Sequence, residues 1–72
     1  MARTYLVDLR RQRNESQQDV ADSLGISRQY YSMIEDGSRQ RDMDTTLICG
    51  LAKHFGMSPE QIFKLETDAS VS

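Results

Sequence analysis

Tryptophan is absent from this 72-residue sequence, and cysteine, histidine and proline each occur once. One cysteine, Cys49, cannot close an internal bridge, and with one histidine, His54, it makes no zinc-ligand spacing, so neither a metal nor another cofactor is expected. Cys49 reads as a small buried or half-buried helix residue, since a nucleophile would need a basic partner. His54 reads as an ordinary helix residue near a helix C-terminus. Eighteen apolar residues never run together, and the first residues lack the apolar stretch of a signal peptide, so no membrane partner is expected and the protein reads as soluble and cytoplasmic. Paired-carboxylate, Cys–His and glycine-rich constellations are missing, which argues against an enzyme. Period-two alternation and repeats are missing too. With 38% apolar and 7% aromatic residues, the core must be compact and helical instead of a wide sheet sandwich. A domain of this size buries only about 60% of its unfolded surface and is marginal alone.

Positive charge is scarce overall, with nine Lys and Arg against eleven Asp and Glu, a net charge of -2. A blanket nucleic-acid binder would be basic, but the charges are segregated. All seven arginines lie in residues 1–41 with six acids, while residues 42–72 hold two lysines and five acids. The first half is thus +1 and the second -3. A local field can therefore be positive on a negative chain.

Five short helices are predicted. The first runs from Thr4, a candidate N-cap, to Arg13, with Leu6 and Leu9 on one face. Ser16 caps the second, QQDVADSL, with Asp19 as capping-box partner and Val20, Ala21 and Leu24 inward. Gly25 stops it, and Ser27 caps the third, RQYYSMIED, which turns Tyr31 and Ile34 inward and Arg28, Gln29, Ser32 and Met33 outward. SRQRD after Gly37 is a polar loop. The fourth helix spans Met43 to Phe55, and Gly50 inside it implies a close helix crossing. In SPEQIFKL, Ser58, Pro59 and Gln61 form a compact start signal for the fifth. The domain is expected over residues 1–66, and 67–72, which lack periodicity, as a disordered tail.

From Gln17, the segment QQDVADSLGISRQYYSMIED combines a small fifth residue (Ala21), a glycine at the ninth (Gly25), and apolar Val20, Leu24, Ile26, Tyr31 and Ile34. These weld two helices at the steep angle of a helix-turn-helix unit. Together with LGIS and the I-E-x-G ending, the pattern resembles the lambda-repressor-like helix-turn-helix family of Cro and phage-repressor type, over roughly Leu6 to Leu65. The resemblance implies a compact all-α fold with its third helix in the DNA major groove, Gln17 holding a phosphate, and Arg10 paired with Glu35. It also assigns Arg39 and Arg41 to the phosphate backbone. Three departures stand out: Glu15 replaces the apolar residue before the cap, Asp36 lies on the DNA side without an obvious partner, and the linker after Gly37 is longer and lacks proline.

Chemistry gives these positions roles of their own. A helix N-terminus carries about half a positive charge and unpaired N–H groups, so Ser16 with Gln17 forms a phosphate cradle and Ser27 a second. Arg28 suits guanine O6 and N7, Gln29 suits adenine, Ser32 suits either, and Met33 offers only apolar contact. Tyr30 is expected to be exposed, its hydroxyl either on a phosphate or in surface packing. Ile62, Phe63 and Leu65 form either a dimer surface or the last part of a monomer core. The expected function is a sequence-specific transcriptional regulator, a repressor binding double-stranded DNA at a palindrome as a homodimer. The competing reading is an antitoxin or adaptor whose main partner is another protein.

Overall fold

The computed structural model describes residues 2–38 and 44–71, with 70 and 71 as backbone only. Five helices follow in order: α1 (Thr4–Gln12), α2 (Gln17–Leu24), α3 (Arg28–Asp36), α4 (Thr45–Phe55) and α5 (Pro59–Val71). No strand occurs among the described residues.

Local chemistry explains most of the boundaries. Ser16 Oγ accepts from the Asp19 N–H at 3.1 Å while the Asp19 carboxylate accepts from the Ser16 N–H at 2.8 Å, closing a reciprocal capping box. Ser58 and Gln61 repeat it at α5, at 3.2 and 2.9 Å. Gly25 ends α2 at φ 72°, where a side chain would strain the backbone, and this frees the chain to turn into α3 within three residues.

Two helix starts differ from expectation. Thr4 does not cap α1: Arg3 occupies the cap with no side-chain bond, and its backbone is fixed instead by donation from Arg3 N to Glu35 O at 2.7 Å. A tertiary contact replaces the hydroxyl. The fourth helix starts at Thr45, with the Asp44 carboxylate accepting from the Leu47 N–H at 2.7 Å; Met43 lies outside the described residues. At the other end α5 continues to Val71, past the expected boundary at residue 66, because no Gly or Pro interrupts it and Glu66 is held from below.

Leu6, Val20, Ala21, Tyr31, Ile34, Leu51, Ala52, Phe55 and Ile62 form one core to which all five helices contribute. Tyr5, Leu9, Leu24, Ile26, Leu47 and Ile48 pack around it. The crossing at Gly50 is with α2, where a Cβ would lie 2.9 Å from Leu24 Cδ2. A flexible side-chain tip, not backbone, thus sets the spacing. Cys49 is exposed, not buried or half-buried, since it shares with Thr45 and Lys53 the solvent side of α4, away from Leu51 and Phe55.

Deepest of all is a contact the sequence gives no sign of. Arg3 has 0% exposure and its Nε and Nη2 both donate to the Glu66 carboxylate at 2.9 Å, while Nη1 donates to Ile34 O at 2.8 Å. Tyr5 Oη donates to the same carboxylate at 2.6 Å. Burial first, and then the hydrogen bond to Glu66 and its charge, push the Tyr5 hydroxyl pKa far up, so it stays protonated and donating. The cluster ties the segment before α1, the end of α3 and α5 into one unit.

Candidate nucleic-acid interface

Helix α3 is anchored on one side by buried Tyr31, Ile34 and Glu35. Its opposite side presents Arg28 and Gln29 exposed and, one turn on, Ser32 and Met33 half-exposed. The alternation follows from helical spacing, and it places two long polar side chains at the solvent-facing helix N-terminus. Tyr30 is half-buried rather than exposed, because its ring packs against the core.

Ser16 and Ser27 each accept a backbone N–H, from Asp19 and from Tyr30 at 3.0 Å, and each hydroxyl keeps its own proton to donate outward. Both are exposed. Gln17 is more constrained: its Nε2 donates inward to Glu35 Oε1 at 3.1 Å, and its Oε1 accepts from Arg28 Nη1 at 3.5 Å. Glu35 also accepts from Arg10, Nε to Oε2 at 2.9 Å and Nη2 to Oε1 at 3.4 Å. A polar chain therefore runs from Arg10 through buried Glu35 and Gln17 to the exposed guanidinium of Arg28. The Glu35 carboxylate raises the Arg10 pKa, against the opposing effect of burial. Arg10 further donates from Nη1 to Glu15 O at 3.1 Å, bracing the connection before α2.

Asp36 is not without a partner. Its carboxylate accepts from the Ser38 N–H at 2.8 Å, and the Ser38 hydroxyl first, then this N–H, hold its pKa below the ordinary 3.8. Part of its charge is thereby directed to the chain itself. Arg39 and Arg41 lie outside the described residues. Ile62 leaves the candidate dimer surface, since it is fully buried in the core, whereas Phe63 is 52% exposed and Leu65 half-buried. Helical geometry makes this unavoidable: adjacent residues 62 and 63 point about 100° apart.

With this geometry in place, comparison with protein-family models gives a match to a helix-turn-helix family over residues 6–62. The chain belongs to the lambda-repressor-like helix-turn-helix family. Comparison with curated proteins gives no match, and neither does comparison with solved structures. As a lambda-repressor-like domain it falls in a family of DNA-binding transcriptional regulators. The match runs from within α1 to the first turn of α5 and so includes the Ser16 and Ser27 caps of α2 and α3. No described helix is long and apolar enough to cross a membrane, and no metal-holding group of His, Cys, Asp and Glu occurs among the described residues.

Sequence reasoning missed two groups of residues at or beside this interface. Arg3 and Glu66 fix the end of α3 from 63 residues apart, a separation that leaves no local pattern. Glu15, read only as a lost apolar contact, instead bonds Arg13 and His54. Its place directly before the Ser16 cap was the available signal.

Proposed function

We propose that this chain represses transcription by binding a palindromic operator as a homodimer, with α3 of each copy in a major groove. What carries the reading is the exposed pair Arg28 and Gln29 at the N-terminus of a helix whose far side is locked into the core. Arg28 pairs with guanine and Gln29 with adenine, each good bidentate contact supplying about 1–3 kcal/mol of discrimination. Ser32 and Met33 contact the next base pairs. Ser16, Gln17, Ser27 and the Tyr30 hydroxyl anchor phosphates on either side, and Arg39 and Arg41 extend that anchoring.

One such helix reads only a few base pairs, so two copies on half-sites about 34 Å apart supply the remaining specificity. Phe63, a large apolar side chain open to solvent on α5, with Leu65 nearby, is the surface proposed for pairing. Selection of bound sequences from random DNA tests both parts together. A palindromic consensus with two equal half-sites is the expected result; an unpaired half-site removes the dimer, and no enrichment removes the function. Phe63→Lys should yield monomers in sedimentation and weaken operator binding.

A further inference from the structure

His54 joins three parts of the fold in a way that DNA binding does not use. From near the end of α4 its Nε2 lies 3.0 Å from the Glu15 carboxylate, and its Nδ1 lies 2.8 Å from Ser23 Oγ on the last turn of α2. Glu15 in turn accepts from Arg13 Nε at 2.8 Å. Slight burial works to raise the Glu15 pKa, but the bonds from His54 and Arg13 outweigh it and hold the carboxyl below its ordinary 4.5. An ionised carboxylate can only accept, so the proton of a neutral His54 sits on Nε2. Nδ1 is then left to accept the Ser23 hydroxyl proton. A serine hydrogen-bonded to a base that is itself oriented by an acid is the arrangement that activates a nucleophile.

The surroundings suit a small apolar substrate. Ser23 and His54 stand on the wall of an open groove of about 690 Å³ between α2, the start of α3 and α4. Leu24, Ile26, Tyr30 and Leu47 make its apolar side, and Lys53 also borders it. That volume lies in the range of sites for small organic ligands.

We propose that Ser23 is an activated nucleophile that accepts the acyl group of a small apolar ester bound in this groove. Ser23 Oγ bonds to the ester carbonyl carbon while its proton passes to His54 Nδ1, and Glu15 stabilises the imidazolium. Collapse of the tetrahedral intermediate breaks the bond to the alkoxy or aryloxy oxygen, which leaves with the proton from His54. The Lys53 ammonium, with no ion-pair partner among the described residues, offers positive charge to the developing oxyanion. Water, deprotonated by His54, then releases the acid and restores Ser23. This activity does not depend on the DNA-binding reading.

The test uses the whole chain and p-nitrophenyl butyrate, with nitrophenolate release followed in time and the butyryl group located by peptide mass spectrometry. The expected result is an initial burst with butyryl on Ser23, abolished by Ser23→Ala, slowed on the order of a hundredfold in His54→Gln, and slowed less in Glu15→Gln. Circular dichroism establishes that each variant is folded. Two outcomes overturn the proposal. One is wild-type protein acylated only on lysines or the N-terminus, which needs no variant to observe; the other is Ser23 labelled at an unchanged rate in folded His54→Gln.

Discussion

Removing the Glu66 carboxylate while leaving Arg3 in place should be far more damaging than removing both. The Arg3 guanidinium is fully buried, and Glu66 supplies three of its hydrogen bonds at 2.9–3.1 Å. Glu66→Ala leaves that charge unneutralised in the interior, a loss of about 3–5 kcal/mol for breaking a buried pair from one side. A 72-residue domain has about 4–11 kcal/mol in total, so the loss takes from about a quarter of the stability to all of it. With a urea dependence of about 1 kcal/mol per molar, the midpoint should fall by roughly 3 M or more. The double variant Arg3→Met, Glu66→Leu removes both charges. It gives up the Arg3 bond to Ile34 O and the acceptor of Tyr5 Oη, about 1 kcal/mol each, and gains apolar burial in return. Its stability should return to within about 2 kcal/mol of wild type. Urea titrations of both variants by circular dichroism decide the matter. A Glu66→Ala loss under about 1 kcal/mol, the size seen for exposed ion pairs, would refute the reasoning.

Four further outcomes follow from the same geometry. Arg28→Ala and Gln29→Ala should each relax base preference at one operator position by about 1–3 kcal/mol and leave stability unchanged; selected sequences identical to wild type for both would move readout elsewhere. Gln17→Ala should weaken binding on all sequences and alter preference only at the position read by Arg28, its outward neighbour, and wild-type affinity should fall steeply as salt rises in filter-binding titrations. Gly50→Ala gains about 1 kcal/mol of helix propensity while displacing only the tip of Leu24, so its net effect should stay under about 1 kcal/mol, whereas Gly50→Val should be clearly destabilising on thermal melting. The Asp19 pKa is depressed below 3.8 by the Ser16 N–H and hydroxyl, so its contribution to stability is present above that value and lost as pH falls through the lower folded value. Ser16→Ala should raise the Asp19 carboxyl pKa measured by NMR, and an unmoved titration would deny the capping box.

Much of the fold could be read directly because it is governed by chemistry within four residues. Ser16, Ser27 and Ser58 cap helices, Gly25 turns between two of them, and Val20, Ala21, Tyr31 and Ile34 recur at helical spacing. The exposed side of α3 followed from the same period. Legibility ended where a partner is remote or a phase is undecided. Arg3 looks like any terminal arginine until Glu66 is brought beneath it, and His54 like any helix residue until Glu15 and Ser23 arrive from 39 and 31 residues away. Ile62 and Phe63 are adjacent apolar residues, and nothing local says which one the core takes. Met43 marks the expected start of α4 because its apolar side chain reads as helix interior, and Asp44, expected as a helical residue, is instead the N-cap.

The Arg3 and Glu66 pairing also sets an order of events during synthesis. Arg3 leaves the ribosome early, but its carboxylate partner is made 63 residues later, roughly 3–13 s at typical elongation rates. Throughout that interval α1, α2 and α3 can form from local contacts, while the guanidinium that will brace the end of α3 stays in water. Helix α3 can therefore begin to form before its support does, and the last turns of α5 are what complete the domain. Release of a nascent chain stalled just short of Glu66 should leave a helical but easily cleaved species, and extension by a few residues should make it resistant.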